Sequence, residues 1–365
     1  MRSTIIIFVL ASVLSSITTL AEDLPKLKLG VIASFSGPLA EFGTAIQNGM
    51  KIAQLENNGE NKILEIIYED SKYDTKTAIS NFKKLTAVDN VDLLYVFGGP
   101  MSESLSPLAE SAKVPLFSTE YDTSHTIGRK YVMRFANNAE DYASALLSEL
   151  RKKSIKKLGV FKCENQYHNT LVTALNNSLR GGESIELLGN FQPNETDFRS
   201  AISKMRGKDF DALGLYLLPG MQHAFLKQYA QQGFQHQLFG TDSFDSESEV
   251  LGVEKNVEGL LYANNYASDK FKKRYVEKYG NDRQLIHGVL GYEFVLLVLD
   301  LMQGAETLTS DKIISKFQTI KDRNSDAGVY SYKNSAETGQ YFNLPIAIRT
   351  INKGKSSLLR LKEMP

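Results

Sequence analysis

The sequence predicts an α/β protein of two lobes, each a mostly parallel sheet wound on both faces by helices and joined to the other by several strands. Three observations carry this. Short apolar runs alternate with helix-patterned stretches at the spacing of right-handed βαβ units. The same alternation restarts near Asn137 to Glu140, as if a second unit began there. A chain of 365 residues also suits roughly two domains of ~150 residues each.

Taken in order, Lys28 to Ala33 reads as a strand, and SFSGPLAEFG after it as a loop punctuated by Pro38 and Gly43. Ala45, Ile46, Gly49, Met50 and Ala53 then recur at helical spacing. Ile63 to Tyr68 is a second strand, Ala78 to Leu85 one face of a helix, Val91 to Phe97 a third strand and Val114 to Phe117 a fourth. Between the last two, a helix is expected to open near Ser102. In the second unit, a helix over Asp141–Lys152 precedes a strand over Lys157–Cys163. The next helix, Tyr167–Leu179, should stop at Gly181-Gly182, a C-terminal cap signal. Strands follow at Ile185–Phe191, Asp211–Leu217, Leu238–Gly240 and Val257–Tyr262, with helices at Asp197–Met205 and Met221–Gln232 between them. Helices around Asp269–Tyr279, Val289–Gln303 and Ser310–Ile320 lead to a tail of alternating apolar and polar residues. Turns at Thr338-Gly339 and Asn352-Lys353-Gly354 make that tail two hairpins.

Bulk composition narrows the function. Lys plus Arg (42) equals Asp plus Glu (42), so there is no electrostatic footprint for nucleic acid, and a small neutral or zwitterionic partner fits better. Arg2, the apolar run Ile5 to Leu14 and the small-x-small end Thr19-Leu20-Ala21 form a secretory signal over residues 1–21. No Cys follows it, which implies release as a soluble periplasmic protein without a lipid anchor. Cys163 is the single Cys, so no intrachain disulfide can form. Val289 to Met302 covers only about 14 residues and contains Glu293 and Asp300, which makes it a buried helix and not a membrane span.

The stretch Leu93–Tyr121 brings two strand ends and a Gly-Gly-Pro bend to one edge, where ligands of open α/β sheets sit. Gly98 and Gly99 clear space for close approach, and a helix opening at Met101–Ser104 offers N–H groups to an anion.

Six segments, SGPLAEFG (36–43), KTAISNFKKL (76–85), VPLFST (114–119), NQYHNTL (165–171), TDFRSAISKM (196–205) and LFGTDSF (238–244), occur in an order that resembles the type I periplasmic solute-binding proteins. The likeness is to the branched-chain amino acid (leucine/isoleucine/valine) binding family that serves ABC importers, and it covers nearly all of the mature chain. It implies two Rossmann-like lobes around a hinge, lobe I from 26–139 plus 266–340 and lobe II from 140–265 plus 341–362. It also implies a monomer without a cofactor, an amino acid or related ligand, and an ABC permease as membrane partner. Site residues carried over are Met101 and Ser102 for the ligand carboxylate, and Ser118, Thr119, Glu120 and Tyr121 as a second anchoring loop. Tyr167 would cap the ligand, Asp242 face its ammonium and Phe42 border the side-chain pocket; Tyr216 is a weaker candidate. Charge logic supports the set, because a buried ammonium needs a fixed anion and a carboxylate needs clustered donors.

Departures matter too. The family's first-lobe disulfide has no Cys here, Asn57–Asn61 replaces a Gly-Gly turn, His168 stands where Gly is preferred, and Glu120 where a small residue is usual. A cleft-facing Glu120 would repel a carboxylate and favour a cationic or amide ligand. Receptors of the same fold can instead signal to a membrane sensor. A periplasmic amide hydrolase would need a Cys163/His168 pair, but Cys163 ends an apolar strand. The five His show no metal-ligand spacing, the acidic run 242–249 lacks the spacing of a calcium loop, and GxGxxG and Walker loops are absent.

Overall fold

The computed structural model describes residues 27–57, 63–303 and 308–364. The expected signal segment and most of the Asn57–Asn61 turn lie outside them. In chain order the first unit is β1 (Leu27–Ala33), α1 (Ala40–Asn57), β2 (Leu64–Asp70), α2 (Thr75–Ala87), β3 (Leu93–Val96), α3 (Gly99–Ala112), β4 (Leu116–Ser118) and β5 (Val132–Arg134). The second is α4 (Ala139–Lys152), β6 (Lys157–Cys163), α5 (Gln166–Asn177), β7 (Ser184–Phe191), α6 (Arg199–Ser203), β8 (Ala212–Tyr216), α7 (Met221–Gln231), β9 (Gln237–Gly240), α8 (Glu247–Val250) and β10 (Leu261–Asn265). Then come α9 (Asp269–Tyr279), α10 (Leu285–Met302), α11 (Ser310–Gln318) and the strands β11 (Arg323–Ser325), β12 (Gly328–Tyr330), β13 (Tyr332–Ser335), β14 (Gly339–Phe342), β15 (Ile346–Asn352) and β16 (Lys355–Lys362).

Among the described residues these strands form two seven-stranded sheets. The first runs β13-β14-β5-β4-β3-β1-β2 and the second β16-β15-β10-β9-β8-β6-β7, with β11 and β12 a separate ribbon. Strands β1 to β5 pair in parallel, as do β6 to β10 in the second sheet, so the α/β reading with two parallel-core lobes holds. Parallel strands need helical crossovers, and those helices cover both faces of each sheet. Apolar clusters on either side of the sheets follow: Leu29, Val31, Tyr95 and Phe117 face α1 and α10, while Ile32 and Val96 pack against Phe82 of α2 and Leu105 of α3.

The chain passes between the sheets three times, after β5, after β10 and after β14. Arg134, wholly buried at the first crossing, donates to the carbonyls of Asn137 and Thr338, and Asn137 Nδ2 donates to the Leu344 carbonyl at 2.6 Å. These bonds tie the first crossing to the third.

Helices α1 and α10 cross so closely that Cβ atoms are excluded. One on Gly49 would lie 1.8 Å from the Gly288 carbonyl oxygen, and one on Gly291 2.5 Å from that of Ile46. The run Val289–Leu301 therefore serves as core of the first sheet, and among the described residues no helix is long and apolar enough to cross a membrane.

Several element boundaries differ from the sequence reading. Gly43 lies inside α1, where a Cβ would meet the Ser34 carbonyl oxygen at 2.0 Å. Helix α3 opens at Gly99 and not near Ser102, because Gly98 at φ 105° turns the chain and Pro100 suits the first turn. Helix α5 is capped by Ser178, and Gly181-Gly182 belongs to the turn before β7. Strand β5 has no counterpart in the reading, α6 spans only five residues, and β10 begins beyond the Gly259 turn.

Candidate functional site

The carboxyl ends of β2, β3 and β4 from the first sheet converge on those of β6, β8 and β9 from the second. Beyond β4, Thr119, Glu120 and Tyr121 run out from the strand end. Beyond β9, Asp242 opens a short 3-10 turn, Asp242–Asp245. Between them lies a cleft of about 430 Å³ whose walls include Phe42, Tyr73, Phe97, Glu120, Tyr167 and Asp242. That volume suits a small organic solute.

Local backbone explains how each wall is set. Lys72 and Tyr73 both take left-handed conformations (φ 52° and 56°), which throws the Tyr73 ring over Gly98. Gly98 must be glycine there: a Cβ would lie 2.3 Å from Met101 Cε and 2.8 Å from Tyr73 Cε2. Asn165 caps α5 by accepting from the His168 N–H at 2.9 Å, which fixes Tyr167 in the first turn facing Asp242. The Tyr167 hydroxyl donates to Asp242 Oδ1 at 2.6 Å. On the apolar side Phe42 stacks on Phe97 at 5.7 Å, and His287 from α10 meets both edge-on at 4.8 and 5.6 Å.

Electrostatically the cleft is unusual. Glu120 is 6% exposed; burial lifts its carboxyl from 4.5 to about 7, against the N–H of Tyr121, which donates to Oε1 at 2.9 Å. Burial likewise lifts Asp242 from 3.8 to about 6, although the Tyr167 hydroxyl and nearby backbone N–H groups favour its charged form. Burial pushes His287 down to about 4 and, helped by Lys162, His168 down to about 3, so both imidazoles are neutral. No Lys or Arg lines the cleft among the described residues.

Of the nine residues singled out from sequence, the cleft brings together Phe42, Thr119, Glu120, Tyr121, Tyr167 and Asp242. Met101, Ser102 and Ser118 stand apart from it. Met101 packs into the core with Leu105 and Val96, and the buried Ser102 hydroxyl donates to the Gly98 carbonyl at 2.9 Å, one helical turn back. Ser118 Oγ is 2.7 Å from His125 Nε2 inside the first lobe. Met101 and Ser102 follow from the helix beginning three residues early, which turns those side chains inward, whereas Ser118 ends β4 and points to His125. Tyr216 lines a smaller cavity of about 30 Å³ behind the Tyr121–Tyr167 pair, with Tyr142 and Asp242. Tyr73, Phe97, Asn165, His168, Met221 and His287 line the main cleft without having been singled out as contacts. Tyr73 reaches the cleft through the left-handed Lys72-Tyr73 turn.

Cys163 is free and buried among the aromatic residues of the second sheet, with its thiol pushed up by burial, and His168 Nδ1 pairs with Asn165 at 2.9 Å instead. A thiol so placed is held away from the reactive thiolate form.

Known proteins share this design. The profile of the periplasmic binding protein family matches residues 26–355. The Leu/Ile/Val-binding protein homolog 7 of Brucella suis is 22% identical over 305 residues, 76% of each chain. A leucine-binding protein of Thermotoga maritima superimposes with a TM-score of 0.79 at 21% identity, covering 92% of this chain and 99% of its own. A Rhodopseudomonas palustris solute-binding protein of an ABC transporter, solved with 3,4-dihydroxybenzoic acid, gives 0.78 at 21% identity, covering 94% and 98%. At such identities the superpositions establish a shared fold, while the profile spans most of the chain; this protein is therefore a member of the periplasmic binding protein family, a binding protein and not an enzyme.

Proposed function

We propose that the protein works outside the cytoplasm as a monomeric solute receptor. It captures an amino acid or a related small polar molecule between its lobes and delivers it to an ABC permease in the membrane. The observation that carries this reading is the cleft of about 430 Å³, to which Glu120 and Tyr121 come from one sheet and Tyr167 and Asp242 from the other. A guest held by both sides couples capture to closure, since neither side alone completes its contacts. In this reading Phe42, Thr119, Glu120, Tyr121, Tyr167 and Asp242 touch the ligand. The lobes in this reading divide at 26–139 plus 266–340 and 140–265 plus 341–362. A structural neighbour named a leucine-binding protein and another solved with 3,4-dihydroxybenzoic acid support small-solute capture.

A thermal-shift screen of purified protein against amino acids, amides, amines and aromatic acids tests the reading, because a ligand that binds only the folded state raises the melting temperature. A saturable shift with the ligand recovered unchanged is expected. The absence of a shift across all four classes would refute it.

A further inference from the structure

The solute reading leaves the guest's chemistry open, and the walls of the cleft narrow it. Two carboxylates line the site and neither makes an ion pair: no Lys or Arg lies within ion-pair distance of Glu120 or Asp242 among the described residues, and only Arg134 acts on Glu120 from farther off. Glu120 accepts from the backbone that follows it, Asp242 from the Tyr167 hydroxyl and from backbone. Burying a carboxylate without a counter-charge is unfavourable, and a fold that keeps two at one cavity leaves a cation's place open.

Three of the places a ligand carboxylate would take are filled. At the start of α7, Glu249 accepts from the Gly220 N–H at 2.8 and 3.0 Å and from the His223 N–H at 3.2 Å. At the start of α5, the Asn165 side chain holds the His168 N–H. At α3, Pro100 removes one donor, and Glu120 Oε2 sits where a Cβ on Gly99 would be only 2.8 Å away. The protein's own carboxylate thus occupies the approach to the start of α3.

Tyrosine rings surround both acids. The charge of Glu120 is felt by Tyr73, Tyr121 and Tyr167, and that of Asp242 by Tyr121, Tyr142 and Tyr167, so the Tyr121–Tyr167 pair, 5.8 Å between centroids, is shared by the two. Aromatic faces beside carboxylates attract organic cations and exclude water from the contact.

Resting on the solute-receptor reading, we propose that the preferred guest is a small organic amine with an apolar or aromatic body and no carboxylate group, its ammonium held between Glu120 and Asp242. The amino acid of the same skeleton binds less tightly because its carboxylate meets Glu120 and finds the starts of α3, α5 and α7 taken.

Paired probes test this directly. Calorimetric titration at pH 8 compares 3-methylbutylamine with leucine, and 2-phenylethylamine with phenylalanine; each pair differs by one carboxylate. The amine of at least one pair is expected to bind tenfold or more tightly than its amino acid. Glu120→Gln should cost the amine at least tenfold and narrow the preference, and Asp242→Asn provides a second, independent loss. Equal or tighter binding of leucine or phenylalanine, or binding of amides alone, would overturn the proposal and leave the receptor reading intact. Absence of binding by these four probes together with a blank thermal-shift screen would remove both.

Discussion

Replacing Glu120 by Gln should stabilise the empty protein in alkaline solution. The carboxyl is buried without an ion-pair partner, Arg134 acting only from a distance, and its proton affinity rises from 4.5 in an ordinary chain to about 7 in the fold. The folded state therefore holds this proton to higher pH than the unfolded state does. Below pH 4.5 both states are protonated and nothing is lost; stability drains away as pH rises from 4.5 to 7, and above 7 the whole cost is present. At ~1.4 kcal/mol for each tenfold in proton affinity, that cost is about 3 kcal/mol. Gln keeps the shape and an oxygen for the Tyr121 N–H, so the variant sheds the charge and little else. Asp122, Arg134, Tyr73 and Tyr167 face the same carboxyl and are common to both proteins, as is Asp242. Equilibrium urea unfolding from pH 4 to pH 8 measures the difference. The two proteins should coincide at pH 4, and the variant should be more stable by about 3 kcal/mol at pH 8. A gap that is absent at pH 8, or that does not change with pH, would refute the idea that Glu120 is an uncompensated buried acid.

Four further outcomes are expected. Affinity for an amine should climb between about pH 6 and pH 7 as Asp242 and Glu120 ionise; proton release on binding, read from calorimetry in buffers of different ionisation heat, checks it. Tyr167→Phe removes the 2.6 Å bond to Asp242 Oδ1, and at about 1.5 kcal/mol for a bond to a charged group amine affinity should fall roughly tenfold; unchanged affinity would take Asp242 out of the site. Gly98→Ala combines φ 105° with contacts of 2.3 and 2.8 Å to Met101 and Tyr73, so a loss of about 2 kcal/mol or more should appear as a lower melting temperature by circular dichroism. Gly49→Ala, whose Cβ would meet the Gly288 carbonyl at 1.8 Å, should push α1 off α10 and cost about 2 kcal/mol, measured the same way.

The fold was legible where periodicity is strong. The parallel strands β1, β3, β6 and β8 are continuous apolar runs because both their faces are buried, and each stands within a residue or two of its expected place. Strand β5 was missed because three residues carry no period. The α3 start was misplaced because Ser102 looks like a cap, whereas Gly98 at positive φ and Pro100 had already turned the chain. That shift hid the inward course of Met101 and Ser102. Glu120 and Asp242 could be read from sequence because they sit at strand ends. His287 could not: α10 returns to the first sheet only after the whole second unit, and no local pattern announces which of its faces meets Phe42. Tyr73 needed the left-handed pair Lys72-Tyr73, which neither residue type advertises.

The three passages between the sheets bear on how the protein is made. The first sheet lacks its edge hairpin until β13 and β14 have been synthesised, and the second lacks two of its seven strands until β15 and β16, the last elements of the chain, exist. A nascent chain interrupted anywhere before these segments leaves open edges on both halves at once. The first sheet has all its strands once β14 exists, while the second waits for β15 and β16, so the two halves are completed in turn.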